Sequence, residues 1–372
     1  MEIPITWGYL LLALALALAP FVMMARGRLS VPRSHAIALA LMAPFAFLMV
    51  SKTFLYGVSS AGILASNITN FVIIPFGLFF FFNGTYGPFR YEQISRVLAV
   101  LVACVCVYGI FLFFYSFIRG EYFTIPYLTA NASDVADNSI TTKPNLRRFG
   151  SLAINKLIST YNNGNIFGVC ILMILPLAER SKVKPWWRIL VYIALFLTLS
   201  RTVWFGIFAY LLIKSWWQND GRIAVSEILN TLLIMLLVVF IFYIGFSLMG
   251  VQLSWLFDSN LGGRAKYFNF DLRMLPTPEP VIGFLEIVYL GVLHQFGVVG
   301  LVLFLIYMSA PILARFMLPK NYFRHVGGDA SALLGGMLIY LFISLSDGAI
   351  NLIPIMLFYM SIAALYLAPR TR

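Results

Sequence analysis

Between Arg96 and Arg119 the chain runs for 22 residues without a Lys, Arg, Asp, Glu or His. As a helix rising about 1.5 Å per residue it is ~33 Å long, enough to cross the ~30 Å hydrocarbon core of a bilayer. Such a segment restricts the fold severely, because in lipid the backbone must satisfy its own amides and carbonyls. Apolar segments fall near residues 6–25, 35–50, 63–82, 97–118, 164–178, 187–200, 202–216, 227–249, 285–309, 332–347 and 350–368. Of 372 residues, 61% are hydrophobic and 11% charged, against about a quarter charged in soluble domains. The chain reads as an all-α polytopic integral membrane protein, a single transmembrane domain over residues 1–372.

Lys and Arg concentrate in cytoplasmic loops, so their placement assigns sides. Residues 1–24 carry Glu2 where a signal peptide has a basic start, and the opening segment is expected to stay as a first helix with its N-terminus outside. The stretch 187–216 is either one long helix or a hairpin of two short ones, and the choice decides the side of everything downstream. As a hairpin, giving eleven passages, it leaves 16 of the 26 Lys and Arg in the cytoplasm, among them Arg26, Arg33, Arg90, Arg188, Lys214 and Arg315. As one helix it leaves 12 inside and 13 outside, with Arg201 uncounted, and the bias vanishes. The flanks KVKPWWR (182–188) and KSWWQNDGR (214–222) each join Trp-Trp to basic residues, which suits two interfacial anchors on one side. The expectation is about eleven transmembrane helices and a cytoplasmic C-terminus.

Arg201, in LFLTLSRTVWFGIF (195–208), is the one charged residue between Ile189 and Ile213. A charge at bilayer depth costs at least ~2.5–3.5 kcal/mol and marks a functional site by default. Each hairpin arm of ~14 residues reaches only ~21 Å, short of the ~30 Å core. The Ser200-Arg201 turn is therefore expected below the outer surface, on the floor of an outward-facing depression.

Two longer hydrophilic segments, 119–162 and 250–284, are expected outside as periplasmic loops. With Lys52 and Arg201, ten basic residues then face outward, against the usual bias. The planar fork of Arg matches phosphate oxygens and stays charged when partly buried, so the set suits a phosphate or diphosphate at the lipid–water boundary. In GRAKYFNFDLRML (263–275), Lys266, Asn269 and Arg273 share one helical face, and Ala265, Phe268, Leu272 and Leu275 the other. This predicts an amphipathic surface helix that turns basic side chains toward lipid-linked phosphate, or one that simply packs on the bundle. RRFG (147–150) and YNNGNIFG (161–168) place Arg147, Arg148, Asn163 and Asn165 at the mouth of an apolar helix, as ligand contacts or as a cap and turn.

Glu286 stands at the outer end of a long apolar segment, positioned as a general base with its pKa raised by burial or as a counter-ion to an arginine. Asp347, between the last two helices, is a second external carboxylate, while His294 is expected as a buried, hydrogen-bonded core residue. Cys104, Cys106 and Cys170 lie inside apolar segments and do not form a disulfide or zinc framework. HExxH, CxxC, Walker and GxSxG motifs are missing, and external carboxylates do not cluster, so neither a metal nor a cofactor is expected. The net charge of +12 is distributed among loops rather than along one soluble face, which argues against nucleic acid as a partner.

The order of these features resembles the O-antigen polymerase and O-antigen ligase superfamily (Wzy and WaaL types). There an R…G…NPN stretch opens one helix, an SRG or SRT turn follows, a loop carries GR, and HNxYL…GxxGL comes last. Here the corresponding stretches are RRFG with NNGN, LSRTVWFG, LGGRAKYF and EIVYLGVLHQFGVVGLVLF, spanning roughly residues 145–310. The resemblance implies a GT-C-like fold and a metal-independent, inverting glycosyltransfer at the periplasmic face of the bacterial inner membrane. The donor is then an undecaprenyl-diphosphate-linked oligosaccharide, and the polymerases admit a chain-length-regulating co-polymerase as a further partner. Arg201 and Arg264 fall where the family's diphosphate-binding arginines stand. Glu286 and Ile287 replace the ligase motif's His-Asn, which favours a polymerase over a ligase transferring glycan to lipid A–core. A flippase or transporter of an anionic lipid needs ionisable groups along a through-path, whereas here they gather at the outer face.

Overall fold

The computed structural model describes residues 31–81, 91–123, 125, 146–149, 152–161, 163–181, 183, 186–218, 272–283, 287–319 and 328–368, with scattered positions between 12 and 24 and between 226 and 244. Backbone contacts divide the chain into two units, Met1–Ile94 with Tyr267–Arg372, and Ser95–Lys266. Among the described residues the structure is mostly helical, and four helical segments are long and apolar enough to cross a membrane.

In the first unit α1 (Arg33–Tyr56) leads to α2 (Ala61–Ile68), a π turn (Thr69–Ile73) and α3 (Ile74–Phe81). Ser60 starts α2 as an N-cap, its hydroxyl accepting from the Ile63 amide. Phe45 of α1 is the centre of the core, with Phe71, Phe296, Phe304 and Tyr307 packed 5.2–5.6 Å from its ring. Polar contacts at each end of the unit give the direction of every helix. At one end Ser34 and His35 donate to the carbonyls of Leu367 and Ala364, His35 meets Phe79, and Arg315 lies over the Tyr366 ring. At the other end Gly57 and Ser59 pair with Val281, Ser66 donates to the Asn351 carbonyl, and Tyr289 donates to Leu341. Neighbours in sequence thus run in alternating directions, as successive membrane passages must.

The apolar segment 285–309 is expected as one helix, and the structure changes that. It belongs to α8 (Val288–Met317), which breaks at Gly297, where φ is +68°. The amides of Val298 and Val299 would bond His294 and Gln295 in an unbroken helix; here they donate to the carbonyls of Arg273 and Met274 at 2.9 and 3.2 Å. A Cβ on Gly297 would lie 2.7 Å from the carbonyl oxygens of both Met274 and Leu275, so the strap 272–283 seats on a residue without a side chain. Residues 272–275 are consequently not helical, which shortens the expected surface helix 263–275; the rest of it lies outside the described residues. His294 is exposed rather than in the core, because the buried face of this turn is formed by Val288, Gly291, Val292, Gln295 and Phe296. The unit closes with α9 (Gly328–Ile343) and α10 (Ile353–Leu367), joined by a turn that holds Asp347.

The second unit takes in most of α4 (Tyr91–Arg119), a hairpin of β1 (Leu146–Phe149) and β2 (Leu152–Asn155), and α5 (Gly164–Ala178), α6 (Trp186–Leu197) and α7 (Arg201–Gln218). α5 is the central element, with every residue buried except Asn165. α4 exposes Val97, Val100, Leu101, Val107, Phe111 and Phe114 on one side, an apolar surface suited to lipid. Segment 119–162, expected as a loop, contains that hairpin and then buries Ile154–Ser159 against α4. Ser159 donates to the Val105 carbonyl at 2.7 Å, Tyr122 donates to Lys156 O at 2.6 Å, and Leu157 fills the space left by Gly109. Burial holds the Tyr122 phenol well above its ordinary pKa, so the donor keeps its proton.

Candidate functional site

The stretch 187–216 is a hairpin. α6 ends at Leu197, and three residues later α7 begins with Arg201 itself. The reversal is local chemistry: Thr198 Oγ1 donates to the Leu195 carbonyl at 2.7 Å, and Leu199 adopts φ +48°. A buried Leu in the left-handed region costs about 1–3 kcal/mol and persists only where its surroundings enforce it. Ser200 then caps α7, its carbonyl accepting from the Trp204 amide and its hydroxyl from Val203. Trp204 stacks on Phe196 with ring centroids 4.7 Å apart and donates its indole N–H to the Phe196 carbonyl, which ties the arms together.

The start of α5 lies against this tip. Leu157 N donates to the Leu197 carbonyl, and a Cβ on Gly164 would stand 3.3 Å from the Thr198 carbonyl oxygen. One turn further, a Cβ on Gly168 would stand 2.3 Å from Val203 Cγ2, so the backbones of α5 and α7 approach closely. Two helix N-termini, α5 and α7, are therefore side by side at one end of the unit. The opposite ends are equally well defined. Glu179, just after α5, receives Lys214 Nζ of α7 at 2.7 Å and stands 3.9 Å from Arg188 Nε of α6.

At the tip Arg201 is half-buried, between Ser200 and Thr202, which are both buried. Among the described residues no hydrogen bond, ion pair or ring contact engages its guanidinium. Both adjoining helices present the positive ends of their dipoles there, and a helix N-terminus disfavours a cation by about 0.3–1 kcal/mol while favouring an anion. A half-buried arginine at two helix N-termini, with no partner among the described residues, is an arrangement whose electrostatics improve when an anion binds. Lys156, also buried, lies just before α5, its Cβ 3.4 Å from a Cβ placed on Gly164.

The other sequence candidates are placed as follows. Asn163 is the N-cap of α5, its Oδ1 accepting from the Asn165 amide at 2.8 Å, so the cap reading holds for this side chain. Arg147 and Arg148 stand on β1, paired in register with Ile154 and Ala153 of the strand that leads into the buried segment. In the first unit Arg273 is exposed on the strap, and Asp347 is buried within its turn rather than lying on the surface. The Asp347 turn packs on the start of α8, where a Cβ on Gly348 would stand 2.5 Å from Val288 Cγ2. Glu286, Arg264 and Lys266 lie outside the described residues.

Lys52 was not among the sequence candidates. It counts there only as an outward basic residue, yet it is buried in the first unit, 2% exposed. The signal that singles out Arg201, one charge in an apolar helix, is present at Lys52 as well. No protein-family model, characterised protein or solved structure matches the chain.

Proposed function

We propose that the protein is a glycosyltransferase of the O-antigen polymerase type, joining lipid-diphosphate-linked oligosaccharide repeat units at the periplasmic face of the bacterial inner membrane. The observation that carries this reading is Arg201, half-buried where the N-termini of α5 and α7 meet and without a partner among the described residues. In the reaction a hydroxyl oxygen of the acceptor unit attacks C1 of the donor sugar as the bond from C1 to the diphosphate oxygen breaks. The bonding electrons leave with the lipid diphosphate, and the acceptor's proton passes to a base. Fixed positive groups aimed at that developing charge lower the barrier, and Arg201 with Arg264 takes this role. Glu286 is the base, a role worth about 10²–10⁴-fold. Arg147, Arg148, Asn165, Lys266 and Arg273 are assigned as further substrate contacts on the sequence pattern.

The eleven-passage topology is supported by parity within the first unit. α3 ends at the His35 end, where Phe79 meets His35, and α8 begins at the opposite end, beside the Val281 pairing. An odd number of crossings must intervene if the chain threads a bilayer. α4, α5, α6 and α7, with the apolar segment 227–249 read from the sequence as a further passage, supply five, whereas reading 187–216 as one helix would leave four.

The test is purified protein in proteoliposomes with a diphospholipid-linked oligosaccharide, followed on a gel. A ladder of products is the expected result and Arg201→Ala abolishes it. Transfer only after lipid A–core is added assigns a ligase instead, and no glycan transfer under either condition overturns the reading.

A further inference from the structure

Lys52 belongs to the break in α8. The first piece of that helix, 288–296, ends with carbonyls that the break has deprived of their amide partners. One of them, Gln295 O, accepts from Lys52 Nζ, from the Thr277 amide at 3.1 Å and from Thr277 Oγ1 at 3.3 Å. Lys52 Nζ also donates to Thr277 Oγ1 at 3.0 Å and lies 5.0 Å from the centre of the Phe296 ring. The Gln295 side chain continues the junction, its Oε1 accepting from the Ile282 amide at 3.1 Å. A buried ammonium is thus placed at a helix C-terminus, where the dipole favours a cation, with an aromatic face beside it. Every group it touches belongs either to the broken helix or to the strap 272–283.

The strap has few other fastenings among the described residues. Arg273 and Met274 carbonyls cap the second piece of α8, and Val281 pairs with Gly57 and Ser59. Leu272, Arg273, Met274 and Leu275 are otherwise exposed. Lys52 is the charge-assisted contact at the middle of this segment, and charge-assisted hydrogen bonds are about twice as strong as neutral ones.

We propose that Lys52 is a positioning residue: its buried ammonium seats the strap 272–283 in the break of α8 and so sets where Arg273 is presented to an anionic lipid-linked substrate. The substrate clause rests on the function proposed above; the seating does not. The test uses V281C, a buried strap position, in full-length protein whose three native cysteines are replaced by alanine, labelled with a membrane-impermeant maleimide. Lys52→Met is expected to speed labelling at least about tenfold, as loss of a charge-assisted bond implies, and Lys52→Arg to restore protection. Unchanged labelling in Lys52→Met overturns the proposal. Should Lys52→Met fail to accumulate, Thr277→Val removes the partner hydroxyl and carries the same expectation.

A second arm separates positioning from mere stability. Lys52→Met raises the donor KM with kcat little changed, and a V58C/V281C disulfide across the paired Val58 and Val281 returns KM toward the native value. A KM that is unaffected, or not recovered by the disulfide, overturns the positioning role. If even the native chain fails to extend glycan, the polymerase reading falls and the labelling result still decides the seating.

Discussion

Arg201 and Lys52 are the same sequence event, one base set in an apolar helical stretch, with opposite outcomes in the fold. Lys52 is enclosed by a carbonyl, a hydroxyl and an aromatic face, all from its own chain. Arg201 stands at a helix interruption too, yet there the backbone is capped by Ser200 and Thr198 and the guanidinium has no partner among the described residues. An interruption whose charge is used internally is part of the scaffold. An interruption that satisfies its backbone without its charge has a charge available for something else. The membrane sharpens the difference, because an unused charge at depth carries a cost that selection retains only for a function.

The largest expected effect tests that contrast directly. Arg201→Ala should lower chain growth by about 10²–10³-fold, the range for removing one preorganised donor to a developing anion. Arg201→Lys should recover part of it, since an ammonium keeps the charge and loses the bidentate fork. Both variants should reach the membrane in native amounts. Full activity in Arg201→Ala would sink the diphosphate role and leave the comparison without its functional half. Next comes Gly297→Ala at the closed interruption. Its Cβ would enter contact at 2.7 Å with two backbone carbonyls at φ +68°, so a loss of about 2–4 kcal/mol is expected. Thermal unfolding in detergent measures it; a melting point within a degree of native would mean the strap does not seat as described.

Composition and hydropathy made most of the helices legible. The 187–216 hairpin is legible in the charge arithmetic and the two Trp-Trp flanks, since a cytoplasmic bias survives only if the chain turns at Ser200. What stayed hidden is what depends on contacts distant in sequence. The break at Gly297 is invisible in GVLHQFGVVG because it is stabilised by carbonyls from residues 273 and 274, about 25 positions upstream. The burial of Ile154–Ser159 depends in the same way on the missing side chain of Gly109. His294 was misplaced because an apolar run carries no periodicity to say which side of the helix is inside. At the candidate site the sequence pointed to Arg201 by its isolation, but not to the second helix N-terminus beside it, which needs α5 folded back on α7.

That second N-terminus supplies a smaller prediction. Gly168→Ala places a methyl 2.3 Å from Val203 Cγ2, so α5 and α7 must separate by a few tenths of an ångström or more. Overpacking of this kind costs about 1–3 kcal/mol. Because it pushes the two helix ends apart, it should weaken donor binding several-fold as well. Adding Val203→Ala removes both effects if the contact is the cause. Independent, additive losses in the double variant would show that the helices do not meet there.

The smallest effect belongs to the far end of the same hairpin and has the opposite character. Lys214 meets Glu179 at 2.7 Å but is 27% exposed, and Glu179 keeps the Arg188 side chain nearby and a hydrogen bond from Tyr210 after Lys214 is gone. Lys214→Met should therefore cost about 1 kcal/mol or less, the range of partly exposed pairs, and leave chain growth near native. Arg201→Ala should do the reverse, since removing a cation from two helix N-termini relieves repulsion and leaves stability unchanged or slightly raised. The pair forms a cross: one base whose loss lowers the melting temperature and not the rate, the other whose loss lowers the rate and not the melting temperature. If both variants fell together on either measurement, the two ends of the hairpin would not differ in kind, and Arg201 would have to be read as one more structural cation.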